Sequence, residues 1–306
     1  MNSVRRPRRA VHGVLLLDKP RGLSSNDALL RVRRLYQADK AGHTGTLDPL
    51  ATGLLPICLG QATRLSAQLL DASKRYLAEV RFGEQRSTGD LEGQVIATSD
   101  PAGLDADGLR AALRGLTGRI RQIPPMYSAI KQGGQRLYEL AREGLEVERE
   151  AREVEIHALD LLSFEAGVAL LDVSCSKGTY VRTLAEDWAK AAGQVAYLQS
   201  LRRIEVGPFC RQPMWTLEEL GQVAQQGLAA LDALLLPSRA ALDGWRFVRP
   251  LEEQLPILDH GGSVPCPGVE AGPVAIEGAD QRLLGLGEVT AEGRLQPRRW
   301  FGTVGI

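Results

Sequence analysis

Hydrophobic positions change their period along the chain, and each change marks an element. Gly13-Val14-Leu15-Leu16-Leu17 is a continuous apolar run closed by Asp18-Lys19-Pro20, the pattern of a buried strand entering a loop. Ala28, Leu29, Val32, Leu35 and Tyr36 then recur at three- and four-residue steps. This predicts a helix capped by Ser24 or Ser25, with Arg31, Arg33 and Arg34 largely outward. From Lys74 the alternation of Tyr76, Ala78, Val80 and Phe82 predicts a half-buried strand. Further strands are predicted at Glu153 to Phe164, Val168 to Ser176 and Leu201 to Val206, and helices at about Asp105 to Leu116, Arg136 to Glu143 and Thr183 to Ala192. The mixture indicates an α+β fold, with a mixed, largely antiparallel sheet and flanking helices.

Beyond Trp245 the texture becomes short apolar segments broken by Gly and Pro, as at Gly261-Gly262, Pro267-Gly268 and Gly272-Pro273, which indicates a separate β-rich module. Two domains are therefore expected, 1–243 and 244–306, with Leu231 to Leu236 and the following Pro237-Ser238 as the linking segment. A length of 306 residues, 44% of them hydrophobic, suits two packed cores. No apolar stretch is long enough for a membrane helix and the basic start leads into no secretion-type apolar core, so a soluble cytoplasmic protein is expected.

Charge changes the picture only through its distribution. Lys plus Arg equals Asp plus Glu at 37 each. Basic residues nevertheless gather at Arg5 to Arg9, at Arg31 to Arg34, at Lys74-Arg75 and at Arg202-Arg203, while acidic ones concentrate between Glu143 and Glu155. Each cluster alone reads as a solvated face or tail; together they are compatible with RNA, and the first reads as a mobile tail. The four cysteines, Cys58, Cys175, Cys210 and Cys266, are far apart and read as buried, reduced packing residues, with neither a disulfide framework nor a metal site implied. No phosphate-cradling glycine loop is present, and no cofactor is expected.

The densest special chemistry lies between Gly42 and Gly60, a stretch of small residues with a His, an Asp and two prolines that reads as unsuited to regular structure. Asp48 before Pro49 could simply cap a turn. The full run Gly42-His43-Thr44-Gly45-Thr46-Leu47-Asp48-Pro49-Leu50-Ala51-Thr52-Gly53, however, resembles the signature of the TruB family of tRNA pseudouridine synthases. Leu16-Leu17-Asp18-Lys19-Pro20 with Gly22-Leu23-Ser24-Ser25 resembles the family's opening block, and Lys74-Arg75-Tyr76 its second catalytic segment. Gln122 to Lys131, Cys175 to Arg182 and Leu201-Arg202-Arg203 resemble three further blocks in the same order. The final segment, notably Gly285 to Val289 and Gly293 to Arg299, is similar to a PUA module, a small β-barrel-like RNA-binding domain.

The resemblance implies that Asp48 is the catalytic carboxylate, with Arg182 as its charge partner and Tyr76 as an aromatic face and proton-transfer candidate. It implies His43 as the wedge that replaces an extruded base, Tyr180 and Leu201 as pocket walls, and Arg64 and Lys19 as RNA-backbone contacts, with Lys131 and Lys177 as further ones. The implied substrate is uridine 55 in the TΨC stem-loop of tRNA, isomerised by base flipping, with no cofactor, no metal and no obligate protein partner, by a monomer. An RNA-binding tRNA-folding chaperone, and a synthase acting on another RNA, are the alternatives.

Overall fold

The computed structural model describes residues 8–128 and 130–302, apart from the side chains of Lys131, Arg136 and Arg142. At its centre an eight-stranded sheet runs in the order Gly13–Lys19, Thr52–Leu59, Ala196–Val206, Lys74–Phe82, Val168–Cys175, Arg152–Glu165, Gly118–Gln122, with the short Ala41–His43 strand also paired to Thr52–Leu59. Its neighbours are antiparallel with one exception. Ala196–Val206 and Thr52–Leu59 are parallel, and meet only through Arg202 opposite Thr52 and Arg203 opposite Gly53.

Local patterning accounts for these elements. On Lys74–Phe82 the side chains of Tyr76, Ala78, Val80 and Phe82 are buried while those between them are partly exposed. Ser24 caps the Ser25–Leu35 helix by accepting from the Asp27 amide at 3.1 Å, and Ala28, Leu29 and Val32 face the core. Val181, Leu184, Ala185, Trp188 and Ala189 form one apolar stripe along the Val181–Ala191 helix and press it onto the sheet. Trp188 meets Phe82 edge to face at 5.0 Å, and its indole N–H donates to Leu109 O at 3.0 Å.

Three expectations are corrected. The stretch from Gly42 to Gly60 is irregular only in part, because Thr52–Leu59 is a strand buried almost throughout, the expected form of a continuous apolar run with neighbours on both edges. Leu231 to Leu236 is no free linker: Leu231 is in the core, and Leu236 exchanges backbone hydrogen bonds with Val14 at 2.9 Å in both directions. Cys210 is exposed, whereas Cys58, Cys175 and Cys266 are buried.

The second module is a five-stranded sheet ordered Phe247–Val248, Gly272–Glu277, Leu283–Val289, Arg294–Trp300, Val264–Pro265. One side packs around Leu258, Val274, Ile276 and Leu295. Ala275, Leu283, Leu286 and Phe301 instead join a single apolar cluster with Val14, Leu16, Leu54, Leu65 and Phe209 of the first module. Burial of such a shared seam fixes the two modules against each other. Among the described residues no helix is long and apolar enough to cross a membrane.

Candidate active site

The segment from Thr44 to Ala51 leaves the sheet where the two parallel strands barely touch, and several groups distant in sequence hold it there. The Ser25 hydroxyl accepts from the Leu47 amide at 2.7 Å and donates to the Leu47 carbonyl at 3.0 Å. The Gly22 amide donates to Pro49 O at 2.7 Å, and the Arg203 guanidinium donates to Gly45 O at 3.1 Å and to Leu54 O at 2.7 Å. Leu47, Leu50 and Ala51 are buried, while Asp48 between them keeps its carboxylate partly exposed. Gly53 ends the segment with φ +94°, and a Cβ there would lie 2.2 Å from Arg203 O. Only glycine allows the close strand approach that seats the loop.

Asp48 meets Arg182 at 2.9 Å, Oδ2 to Nη2. Arg182 stands in the first turn of the Val181–Ala191 helix and also donates to Thr88 O at 3.0 Å and Tyr127 O at 2.7 Å. Its Nε lies 3.7 Å from Asp90, a buried carboxylate that accepts from the Thr88 hydroxyl at 2.6 Å and the Glu92 amide at 3.1 Å. The two carboxylates thus flank one buried guanidinium, which backbone carbonyls hold from both of its ends. Asp48, Arg182, Asp90, His43, Tyr127 and Tyr138 share the wall of a cleft of about 900 Å³, ample for a nucleoside with its flanking phosphates.

His43 is half-buried on the edge of that cleft, its Nδ1 buried without a hydrogen-bond partner. Burial first, and the charge of Arg203 second, hold its imidazole below the ordinary value of 6.5, so the ring is neutral at neutral pH. Tyr76 sits opposite Arg203 on the neighbouring strand, and Leu201 opposite Ala78, which places Leu201 on the same face as Tyr76. Burial pushes the Tyr76 phenol up, while Arg203 acts in the opposite sense. Tyr180 is clamped through its backbone by Gln122, whose side-chain amide accepts from the Tyr180 amide at 3.0 Å and donates to its carbonyl at 3.3 Å. Its phenol is likewise pushed up by burial.

Of the sequence-predicted site residues, the structure brings Asp48, Arg182 and His43 into one cleft, and sets Tyr76, Tyr180 and Leu201 into the layer around it. Two others lie outside this cleft. Lys19 is fully buried, its ammonium donating to Leu23 O at 2.7 Å and Pro20 O at 3.0 Å, and desolvation pushes it down to about 8. It braces the turn that holds the loop. Arg64 donates to Phe301 O at 3.1 Å and stacks on the Phe301 ring, while Arg299 donates to Arg64 O at 2.7 Å. It joins the two modules.

Several residues of the basic clusters are paired or buried. Arg202 makes a two-pronged pair with Asp18, Arg75 bridges Asp172 and Glu205, and Lys74 and Arg203 are buried. Arg9 is tied to Asp232 and to Tyr36 O, so the tail reading fails there, while Arg5 and Arg6 lie outside the described residues, as does the Lys131 side chain. Lys177 pairs with Asp71 at 2.8 Å.

Sequence reasoning missed Ser25, Asp90, Gln122 and Arg203 as site builders. Asp90 had one signal, the turn-rich run Ser87-Thr88-Gly89-Asp90-Leu91-Glu92-Gly93 between two strands. Arg203 had only its place in the Leu201-Arg202-Arg203 block, since an arginine in an alternating strand otherwise reads as solvent-facing.

Comparison with known proteins identifies the family. The model described as TruB family pseudouridylate synthase, N-terminal domain, matches residues 33–181; the tRNA pseudouridylate synthase B C-terminal domain matches 182–243, and the pseudouridine synthase II TruB C-terminal model matches 251–301. The chain is 50% identical over 301 residues to the tRNA pseudouridine synthase B of Pseudomonas aeruginosa (strain UCBPP-PA14), covering 98% of this chain and 99% of that one. It is 44% identical over 304 residues to that of Vibrio cholerae (serotype O1, strain M66-2), covering 96% and 97%. Among solved structures, the "Crystal Structure of a Cbf5-Nop10-Gar1 Complex" superposes with a TM-score of 0.71 at 26% identity, over 91% of this chain and 78% of that one. The "Structure of H/ACA RNP bound to a substrate RNA containing 2'-deoxyuridine" shares the fold at a TM-score of 0.73 and 23% identity, over 94% and 84%. With a cleft built around Asp48 and Arg182, and half of all positions identical to a curated relative over nearly the whole length, the chain belongs to the TruB family of pseudouridine synthases.

Proposed function

We propose that the protein is a tRNA pseudouridine synthase that isomerises uridine 55 in the TΨC loop. The observation that carries this reading is the Asp48–Arg182 pair, held at 2.9 Å and open to a nucleoside-sized cleft. The relatives' names supply tRNA as the substrate. In the reaction the C1′–N1 bond breaks, the uracil turns, C1′–C5 forms, C5 loses its hydrogen and N1 gains one. No oxidant or energy donor is needed. Asp48 acts as the nucleophile, and Arg182 keeps it ionised and aimed.

Reaching a uridine inside a folded loop requires extrusion at a cost of a few kcal/mol, and the neutral His43 ring is suited to fill the vacated stack. Tyr76 offers its ring to the flipped base, and its phenol is the nearest candidate for proton transfer, with Tyr180 and Leu201 as further walls. The two modules correspond to a catalytic domain, 1–243, and a PUA-like RNA-binding domain, 244–306. The protein works in the cytoplasm as a monomer without an obligate protein partner.

The test is incubation of purified protein with unmodified tRNA carrying tritium at uridine C5, beside Asp48→Asn. Tritium release by the wild type alone supports the reading. Release by both proteins, or by neither, contradicts it, and mapping of the product fixes the position.

A further inference from the structure

Arg203 is a buried cation whose partners are unusual. It is only 1% exposed, and among the described residues no carboxylate lies within ion-pair distance of it. Buried charges are ordinarily paired, because an unpaired one carries a large desolvation cost. Here the guanidinium donates to Gly45 O in the Asp48 loop and to Leu54 O in the strand that follows, and Arg203 stands directly across the ladder from Tyr76. A simple stabilising ion pair does not explain such a residue.

The geometry points to a positioning role. We infer that Arg203 ties the Asp48 loop to Tyr76, donating to the phenolic oxygen so that the phenol's own hydrogen faces the bound uridine. A guanidinium carries only donors and a phenol a single hydrogen, so in this contact Tyr76 must accept. On its other edge Tyr76 lies opposite Val173, which offers no polar side chain. Lys74, two residues earlier on the same face, spends its ammonium on Leu70 O at 2.6 Å and Ala72 O at 2.5 Å. The orientation of the phenol therefore rests with Arg203. Because the same fork holds Gly45 O, a shift of the catalytic loop and a shift of the phenol are one event.

The inference rests on the function proposed above, and two measurements separate them. In the first, single-turnover tritium release is compared for wild type, Arg203→Lys, Tyr76→Phe and the double variant, alongside tRNA affinity. Arg203→Lys should slow release by about 100-fold with tRNA affinity within about threefold, the scale of losing a preorganised donor. The double variant should be slower than Tyr76→Phe alone by much less than the Arg203→Lys penalty, since the two act as a unit. Penalties that multiply, or a loss in affinity in place of rate, would overturn it.

The second measurement needs no catalysis: the Tyr76 resonance of protein labelled with 13C at the tyrosine ζ carbon, assigned with Tyr76→Phe. It should move in Arg203→Lys and, as the second variant should lysine not be tolerated, in Arg203→Gln. An unmoved resonance in a folded variant overturns the link. A wild type that releases no tritium while the resonance moves removes the proposed function and leaves the Arg203–Tyr76 contact standing.

Discussion

Arg182 reaches Asp48 at 2.9 Å with its own side chain only 5% exposed, whereas that of Asp48 is 42% exposed. The asymmetry matters. A buried guanidinium gives up most of its hydration and is held by fixed acceptors, so it cannot swing away, while the carboxylate keeps a free edge toward the cleft. Asp48→Asn should abolish turnover and leave tRNA affinity and the unfolding midpoint nearly unchanged. Arg182→Lys, which cannot hold Asp48, Thr88 O and Tyr127 O together, should reduce the single-turnover rate by about 100-fold. Retained turnover in Asp48→Asn would remove the carboxylate from the chemistry.

Ser25 controls the loop without touching the cleft chemistry directly. Its hydroxyl satisfies both the amide and the carbonyl of Leu47, and it is buried. Ser25→Ala should cost about 1–3 kcal/mol of stability, because a buried amide loses its partner, and should slow turnover more than it weakens tRNA binding. Urea unfolding together with single-turnover rates tests this; a stability change without a rate change would separate the clamp from catalysis.

Gly53 and Gly22 both have positive φ, yet only one is closely crowded. At Gly53 a methyl group would meet Arg203 O at 2.2 Å, while at Gly22 nothing lies within 4 Å. Gly53→Ala should cost about 4 kcal/mol or more by prising apart the parallel strand contact, and Gly22→Ala only about 1–2 kcal/mol of backbone strain. Equal losses in thermal unfolding would mean that the strand contact is not what demands glycine.

Burial pushes Lys74 and Lys19 each down to about 8 from 10.5. Between those values the folded protein binds fewer protons than the unfolded chain, so stability rises with pH. The cost of burying each charge is whole below about 8 and fades toward 10.5. Cys58 and Cys175, pushed up to about 11 by burial, act in the opposite sense above 9.0, which leaves pH 8 to 9 as the clean window. Across it the wild type should gain on Lys74→Met by an amount approaching about 1 kcal/mol per pH unit in urea unfolding. A difference that stays flat with pH would place the Lys74 ammonium in contact with water.

The seam between the modules should be obligatory. Phe301, Leu283 and Leu286 cover Val14, Leu16 and Leu242, all buried in one cluster. A chain ending at Asp243 would expose that face to water. It should aggregate or unfold far below the full chain's midpoint, and Phe301→Ala should cost about 3 kcal/mol or more. A soluble, equally stable truncated protein would show the modules to be independent.

Period and motif alone determined much of this protein. The two-residue alternation of Tyr76, Ala78, Val80 and Phe82 and the helical stripe ending in Trp188 follow from local geometry that any core would read in the same way. The run around Asp48 named the family, because so dense a set of turn residues and chemistry rarely recurs by chance. What the chain could not disclose is which charges face water. Lys19, Arg64, Arg202 and Arg203 read alike as basic residues, yet one is buried under the loop, one joins two modules, one pairs with Asp18 and one ties the loop to the strand that follows it. Asp90 approaches Arg182 only because a turn meets the first turn of a helix far along the chain. Burial and Coulomb interaction depend on distance through space, and only the tertiary structure brings residues from remote parts of the chain to within a few ångströms.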